Sequence, residues 1–268
     1  NAGIRIGKLE RFIADFDAEM GITTPTPPKE IIGRVAVIGS GPAGLTVAGD
    51  LAKMGFKVTV YEAQAEPGGV LMYGIPAFRL NKEVVRREIK RIEQLGVEFK
   101  TNVLVGPDIT VDDMFAQGYD AIFIGTGTAI PRTLDLPGKD LPGIIQATYF
   151  LRMVALAQAN KLDPKEILLR RGDRVIVIGA GNVAMDTART AMRLGASQVT
   201  VVYRRQEQDI TALKSEYEAA KAEGVQFQWL ANPVRYVGQE QVTGLECELM
   251  SVVDDALQGT GQTLVLPA

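Results

Sequence analysis

The stretch Arg34-Val35-Ala36-Val37-Ile38-Gly39-Ser40-Gly41-Pro42-Ala43-Gly44, followed further on by Lys57-Val58-Thr59-Val60-Tyr61-Glu62, decides the fold. The apolar run before Gly39 predicts a strand buried on both faces, the kind found inside a parallel sheet. A Gly-x-Gly-x-x-Gly turn follows directly, and a helical stretch to about Met54 leads to a second buried strand that ends on Glu62. Glycines mark many turns, so the motif alone says little; placed between a strand and a helix it has a mechanism. Gly39 permits the tight turn, Gly41 lets the backbone approach a pyrophosphate, and Gly44 lets the helix lie close on the strand. Pro42 and Ala43 open that helix, whose N-terminus faces the phosphate charge. Glu62, 23 residues beyond Gly39, stands where an acid accepts both hydroxyls of a ribose.

The same pattern returns 140 residues later. Strand Arg174-Val175-Ile176-Val177-Ile178 opens into Gly179-Ala180-Gly181-Asn182-Val183-Ala184, a helix runs to Leu194, and a strand from Gln198 ends in Tyr203-Arg204-Arg205. Here Ala184 takes the packing role of the third glycine. Counting 23 residues from Gly179 reaches Val202, so no acid closes this unit. Adjacent arginines at a strand end are by default solvated charges, but in register with this fingerprint they suit a 2′-phosphate, which a carboxylate would repel. Tyr203 can flank an adenine. Two such units at this spacing are duplicated domains and not a solenoid. The acid-terminated unit suggests FAD and the arginine-terminated one NADPH.

The remaining elements fit an α/β chain: two doubly wound, Rossmann-like three-layer domains, the first truncated. Residues 1–29 read as an amphipathic helix (Ile6, Leu9, Ile13 and Phe16 at helical spacing) and a Pro-rich linker, Thr23 to Pro28. Residues 30–145 read as the FAD-binding domain and 146–268 as the NADPH-binding domain. Within them we expect helices from Asn81 to Leu95, Gln146 to Asn160 and Thr211 to Glu223, strands at 97–99, 119–124 and 225–229, and a hairpin pairing Val234–Val237 with Leu245–Leu249.

Composition narrows the chemistry. The chain has 268 residues, is 46% hydrophobic and carries a formal charge of −3, so nucleic acid or an acidic membrane gains no electrostatic support as a partner. No apolar run approaches the roughly 20 residues of a spanning helix. Asn1-Ala2-Gly3 lacks both a methionine and a signal-peptide core, and Asn1 and Ala2 are set aside from fold reasoning. With no histidine and a single cysteine, Cys247, the chain can build no His-based triad, no His-ligated zinc and no Cys-x-x-Cys redox pair. Hydride transfer from nicotinamide to flavin needs none of these; the protein orients the reactants.

Taken together, these motifs resemble the small (beta) subunit of NADPH-dependent glutamate synthase and its relatives. Leu9-Glu10-Arg11-Phe12 looks like the segment that follows that family's cysteine-rich iron–sulfur domain. Gly68 to Pro76 resembles the flavin-wrapping loop, continued by Phe78-Arg79-Leu80. Gly125-Thr126-Gly127 matches the strand-end motif that closes the first FAD segment, Leu136-Pro137-Gly138 its sequel, and Tyr203-Arg204-Arg205 the NADP signature. The resemblance implies that Glu62 and Val103 contact the adenosine half of FAD. It places Gly69 and Leu71 on the pyrophosphate or flavin side, Thr126 and Gly127 at the end of the FAD segment, and Asn182 and Val183 along the NADP pyrophosphate. Glu216 matches a further NADP-contacting glutamate, although a mid-helix glutamate is ordinarily a solvated face.

Departures from the family pattern matter as well. The iron–sulfur domain expected upstream is absent before Leu9, and no Gly-Asp pair has the context of the family's ribitol-binding motif, so the chain reads as a fragment that stops before the FAD return segment. Asp209-Ile210-Thr211-Ala212 stands where Met-Pro-Ala is common. The function implied is a cytoplasmic FAD-dependent oxidoreductase that takes hydride from NADPH. Electrons would pass to a glutamate synthase large subunit, another acceptor protein or an iron–sulfur centre. A ferredoxin–NADP transhydrogenase or sulfide dehydrogenase subunit, or a nucleotide-binding module without turnover, remain the alternatives.

Overall fold

A computed structural model describes residues 4–21, 26, 30–128, 130, 133–254 and 256–268. The Pro-rich linker lies largely outside the described residues. In chain order the elements are α1 (Ile6–Met20), β1 (Gly33–Ile38), α2 (Pro42–Lys53), β2 (Phe56–Tyr61), α3 (Val70–Tyr73), α4 (Lys82–Gln94), β3 (Glu98–Lys100), α5 (Val111–Ala116) and β4 (Ala121–Ile124). They continue as α6 (Ala147–Gln158), β5 (Arg174–Ile178), α7 (Asn182–Arg193), β6 (Gln198–Tyr203), α8 (Lys214–Ala222), β7 (Gln226–Trp229), β8 (Ala231–Gly238), β9 (Val242–Val253) and β10 (Ala256–Pro267). Two compact units result, residues 1–68 with 83–127 and residues 69–82 with 128–268. The contiguous division at 145/146 read from the sequence differs from these units, because 69–82 and 128–145 go with the second.

The first unit is built on a parallel sheet of order β3-β2-β1-β4. From Val35 to Ile38 β1 is apolar and buried, with both its faces covered. Val35 and Val37 pack with Ala48 and Ala52 of α2 on one side. Ala36 and Ile38 pack with Met114 of α5 and Tyr119 on the other. Leu45, Ala48, Gly49 and Ala52 recur at helical spacing, and the small Ala48, Gly49 and Ala52 let α2 lie close on the sheet. Thr110 and Asp113 form a reciprocal capping box that starts α5. The apolar stripe of α1 is exposed, and an ion pair between Arg91 and Asp17 ties this helix to α4.

The second unit has a parallel sheet of order β5-β6-β7. One face packs on α6, α7 and α8 through Phe150, Leu151, Val154, Met185, Ala188, Tyr217 and Ala220. The other face is covered by an antiparallel sheet of order β10-β9-β8, with Val202, Ala231, Leu245 and Cys247 between the layers. Burial pushes the Cys247 thiol up to about 11, so it stays a protonated packing group. The predicted hairpin is present, with Tyr236 opposite Leu245 and Val237 opposite Gly244. β10 was not anticipated; it includes the Leu264–Pro267 stretch and pairs along β9.

Segment 69–82 is held in the second unit by charge. The Arg79 guanidinium donates to both Asp186 oxygens at 3.0 and 2.9 Å and lies 3.3 Å from Glu216. Arg189 joins Glu216 to Glu223, and Arg193 completes the group on Glu223. Phe78 lies beneath the guanidinium groups of Arg189 and Arg193, 4.5 and 4.0 Å from their carbon centres.

Candidate functional site

Strand register builds the first site. Ile38 pairs with Tyr61, and the Gly39 N–H donates to the Tyr61 carbonyl at 2.8 Å, so Gly39 and Glu62 leave the sheet side by side. Gly39 adopts φ 93°, and a Cβ there would stand 2.5 Å from the Gly125 carbonyl and 3.2 Å from the Thr126 Cα. The strand-end segment Gly125–Gly127 therefore closes directly over the fingerprint. A Cβ on Gly44 would fall 1.9 Å from the Gly39 carbonyl, which fixes the third glycine as the packing one. Around Gly41, the N-cap of α2, nothing lies within 4 Å of a Cβ position. Pro42 occupies the first helical turn and Ala43 is exposed beside it.

Glu62 is buried, at 7% exposure, and its carboxylate is well supplied with donors. The Ser40 N–H (3.1 Å) and hydroxyl donate to one oxygen, and the Gln64 N–H donates to the other at 2.8 Å. Ser40 is fully buried and in turn accepts the Gly68 N–H at 2.9 Å. This serine was not singled out from the sequence; a hydroxyl at a variable position of a glycine motif was the available signal. Val103 donates its N–H to the Glu62 carbonyl, so these two predicted residues do meet. Thr126 and Gly127 are exposed at the end of β4. Gly69 and Leu71 lie in the second unit: Gly69 is the N-cap of α3 at φ 51°, and the Leu71 carbonyl accepts from the Lys82 ammonium at 2.7 Å.

The second fingerprint repeats the construction with a shift of one residue. The Gly179 N–H donates to Val202, and Ile178 pairs with Val202. The residue standing where Glu62 stands in the first unit is thus Tyr203, not Val202 as the count from Gly179 suggested. Between paired positions, the second unit carries one residue more than the first. Val202 is fully buried against the antiparallel sheet. Arg204 and Arg205 follow, both exposed, and among the described residues neither guanidinium has an ion-pair partner.

Gly181 is the N-cap of α7; its nearest neighbour, the Thr211 hydroxyl, lies 3.6 Å from the Cβ position. Gly179, at φ 108°, has open space there. The Asn182 side-chain oxygen accepts the Leu213 N–H at 2.9 Å, holding the 210–213 segment beside the turn. Val183 is half exposed and Ala184 buried, as their places in the motif require. Glu216 is not brought to the arginine pair: its two oxygens face Arg79 and Arg189. Tyr203 stands edge-on to Trp229 at 6.2 Å, and Trp229 stacks on Phe227 at 5.2 Å, so both aromatics belong to one packed cluster. No group of His, Cys, Asp or Glu able to hold a metal occurs among the described residues. Among the same residues no helix is long and apolar enough to cross a membrane.

Comparison with known proteins agrees with this geometry. The chain is 38% identical to a putative glutamate synthase [NADPH] small chain of Cereibacter sphaeroides over 92% of its own length and 60% of that protein. It is 37% identical to the glutamate synthase [NADPH] small chain of Escherichia coli strain K12 over 91% of its length and 52% of that protein. It thus spans between half and two thirds of these relatives. Among solved structures, Mycobacterium tuberculosis FprA in complex with NADPH superposes with a TM-score of 0.73 at 23% identity, covering 88% of this chain and 69% of that one. That likeness establishes the α/β fold with its Rossmann-like parallel sheets. The pyridine nucleotide-disulphide oxidoreductase family model matches residues 33–264, and the chain belongs to that family.

Proposed function

We propose that this chain is the cofactor-binding part of an FAD-dependent oxidoreductase that accepts hydride from NADPH and delivers electrons to a partner protein, in the manner of a glutamate synthase small chain. The carrying observation is the pair of glycine fingerprints with opposite endings. The first closes on the Glu62 carboxylate, the second on two exposed arginines without an ion-pair partner among the described residues.

The residues fit the two groups. In the first unit a pyrophosphate can approach the open side of Gly41 at the start of α2, where backbone N–H groups and the helix dipole favour negative charge. Glu62 lies at the strand end beside it, within reach of the ribose of FAD. In the second unit Gly179 and Gly181 leave the corresponding approach open above α7, and Arg204 and Arg205 supply the cationic subsite for the 2′-phosphate of NADPH. Tyr203, standing in the acid's place, carries no charge to repel that phosphate. Bound together, the two cofactors supply hydride transfer to flavin and onward electron release, chemistry for which a chain without histidine or a cysteine pair need only bind and orient. The acceptor is a partner protein, either a large subunit of the glutamate synthase type or an iron–sulfur protein.

The test is nucleotide discrimination. In the variant Arg204→Ser with Arg205→Ser, NADPH should bind roughly thirty- to several-hundredfold more weakly, from about 2–4 kcal/mol of charged hydrogen bonding. NADH should be nearly unaffected, and the parent's NADPH affinity should fall more steeply with salt than the variant's. Added FAD should bind with flavin absorbance near about 450 nm. Equal losses for both nicotinamide nucleotides would make the arginine pair ordinary surface charge, and a chain that binds NADPH but no flavin would be a nucleotide-binding module.

A further inference from the structure

Four described residues other than glycine adopt positive φ: Asn102, Asn160, Leu230 and Asp254. Asn and Asp tolerate the left-handed region because their short side chains bond locally, whereas a branched apolar residue there is an outlier. Leu230, at φ 55°, is the outlier of the group. It is also the single residue between β7 and β8, where the chain leaves the parallel sheet and enters the antiparallel one. Both its backbone groups are engaged: its N–H donates to the Arg205 carbonyl at 3.1 Å, and its carbonyl accepts the Met250 N–H at 2.8 Å.

We propose that Leu230 is a positioning residue for the arginine pair, its left-handed backbone clamping Arg205 to the edge of the second unit. The idea rests on the assignment of Arg204 and Arg205 to the 2′-phosphate. Arg204 and Arg205 have just left β6, and among the described residues neither guanidinium has an ion-pair partner. An exposed arginine loses rotamer and backbone freedom when it grips a phosphate, so fixing its main chain beforehand reduces that cost. The Leu230 N–H does so from a segment that β9 itself fixes through Met250. The bond to Arg205 is made with Leu230 held in the left-handed region, which a bulky side chain rarely adopts. Strain maintained at one residue while both its hydrogen bonds are made is the pattern expected of a position held for function.

A substitution series separates this backbone role from ordinary side-chain packing. Leu230→Val keeps an apolar side chain but disfavours the left-handed region further; Leu230→Asn and Leu230→Gly discard the side chain and favour that region. The readout is the ratio of NADH to NADPH dissociation constants, with the Arg204→Ser, Arg205→Ser protein as reference. A backbone role predicts that Leu230→Val loses about fivefold or more of the ratio, the equivalent of roughly 1 kcal/mol. Leu230→Asn and Leu230→Gly keep the ratio within about twofold of the parent and melt at or above the parent temperature. Adenosine 2′,5′-bisphosphate against 5′-AMP should give the same order without the nicotinamide. A preserved ratio in Leu230→Val, or losses in Leu230→Asn and Leu230→Gly, would overturn the proposal. Should Leu230→Val fail to fold, Leu230→Ala takes its place: it discards the side chain as Leu230→Gly does but disfavours the left-handed region, so a lower ratio in Leu230→Ala than in Leu230→Gly supports the backbone role and equal ratios overturn it. If the arginine double variant shows no discrimination loss, the 2′-phosphate assignment itself has failed, an outcome distinct from failure of the clamp.

Discussion

Removing the Arg79 guanidinium should destabilise the second unit, and its buried partner Asp186 sets the size. Asp186 is 4% exposed, one helical turn into α7, with Arg79 across both its oxygens. Burial raises the Asp186 carboxyl above its usual range, and the Arg79 hydrogen bonds and charge act against that shift. Arg79→Met keeps much of the stem but leaves Asp186 buried and uncompensated, a change that costs 3–5 kcal/mol in fully enclosed pairs. The Arg79 side chain is 19% exposed, so some water reaches the pair, and about 3 kcal/mol is the expected loss. Glu216 keeps Arg189 at 2.7 Å and adds little to that loss. Urea unfolding followed by fluorescence of Trp229, the sole tryptophan, reads the second unit directly. The sign of the pH effect follows from the raised carboxyl: stability linked to it is fully present below its unfolded pKa and falls as pH rises through the folded one. Arg79→Met raises the folded value further, so its deficit relative to the parent should shrink as pH falls from 7 toward about 4.5. Adding Asp186→Asn should recover at least half of the loss at neutral pH, because no uncompensated charge then remains. A variant within about 0.5 kcal/mol of the parent, or a deficit that does not change with pH, would refute the account.

Two further outcomes follow from the first unit. Glu62→Gln replaces an acceptor oxygen by an amide that must face the N–H of Ser40 or Gln64, so it should cost roughly 1–3 kcal/mol of stability and weaken FAD or ADP binding, read by denaturation and calorimetry. The fingerprint glycines should separate cleanly. Gly41→Ala enters open space at an ordinary φ of −68° and should leave the melting temperature nearly unchanged while abolishing tight FAD binding. Gly44→Ala drives a methyl to within 1.9 Å of the Gly39 carbonyl and should destabilise the unit itself, visible as a lower melting temperature without any ligand.

The sequence carried the strand–turn–helix units because they depend on local signals: apolar runs, glycines at fixed offsets and a helix start. The Gly39–Gly44 and Gly179–Ala184 turns are therefore where they were read to be. What it did not carry is register and long-range pairing. Counting 23 residues from each first glycine takes no account of the extra residue in the second unit, so Val202 was matched to Glu62 although backbone pairing puts Tyr203 there. β10 escaped notice because Gly259 and Gly261 interrupt its alternation, and its pairing with β9 supplies the order that propensity lacks. Likewise Glu216 looked like a solvated or nucleotide-facing glutamate, since nothing near it in the chain announces Arg79, more than a hundred residues away.

The two turns, alike in backbone, also differ in how their neighbours are used. Around Gly41 the charged group faces inward: Glu62 accepts from Ser40 and Gln64, and Ser40 holds Gly68, so the first turn is braced by its own acid. Around Gly181 the bracing is neutral, through Asn182 to Leu213 and Ala212 to Ala180, and the charged groups face outward as Arg204 and Arg205. Duplication of one β-α-β unit supplies two glycine turns, and on the proposed assignment the residue that leaves the sheet beside the first glycine would set which nucleotide each prefers. Moving that exit by one residue replaces a carboxylate by a tyrosine and brings two cations after it. An acid introduced at the exit, as in Tyr203→Glu, would then face the same subsite as the arginines and oppose them. If Arg204 and Arg205 hold the 2′-phosphate as proposed, its recognition would depend on strand register as well as on the arginines themselves.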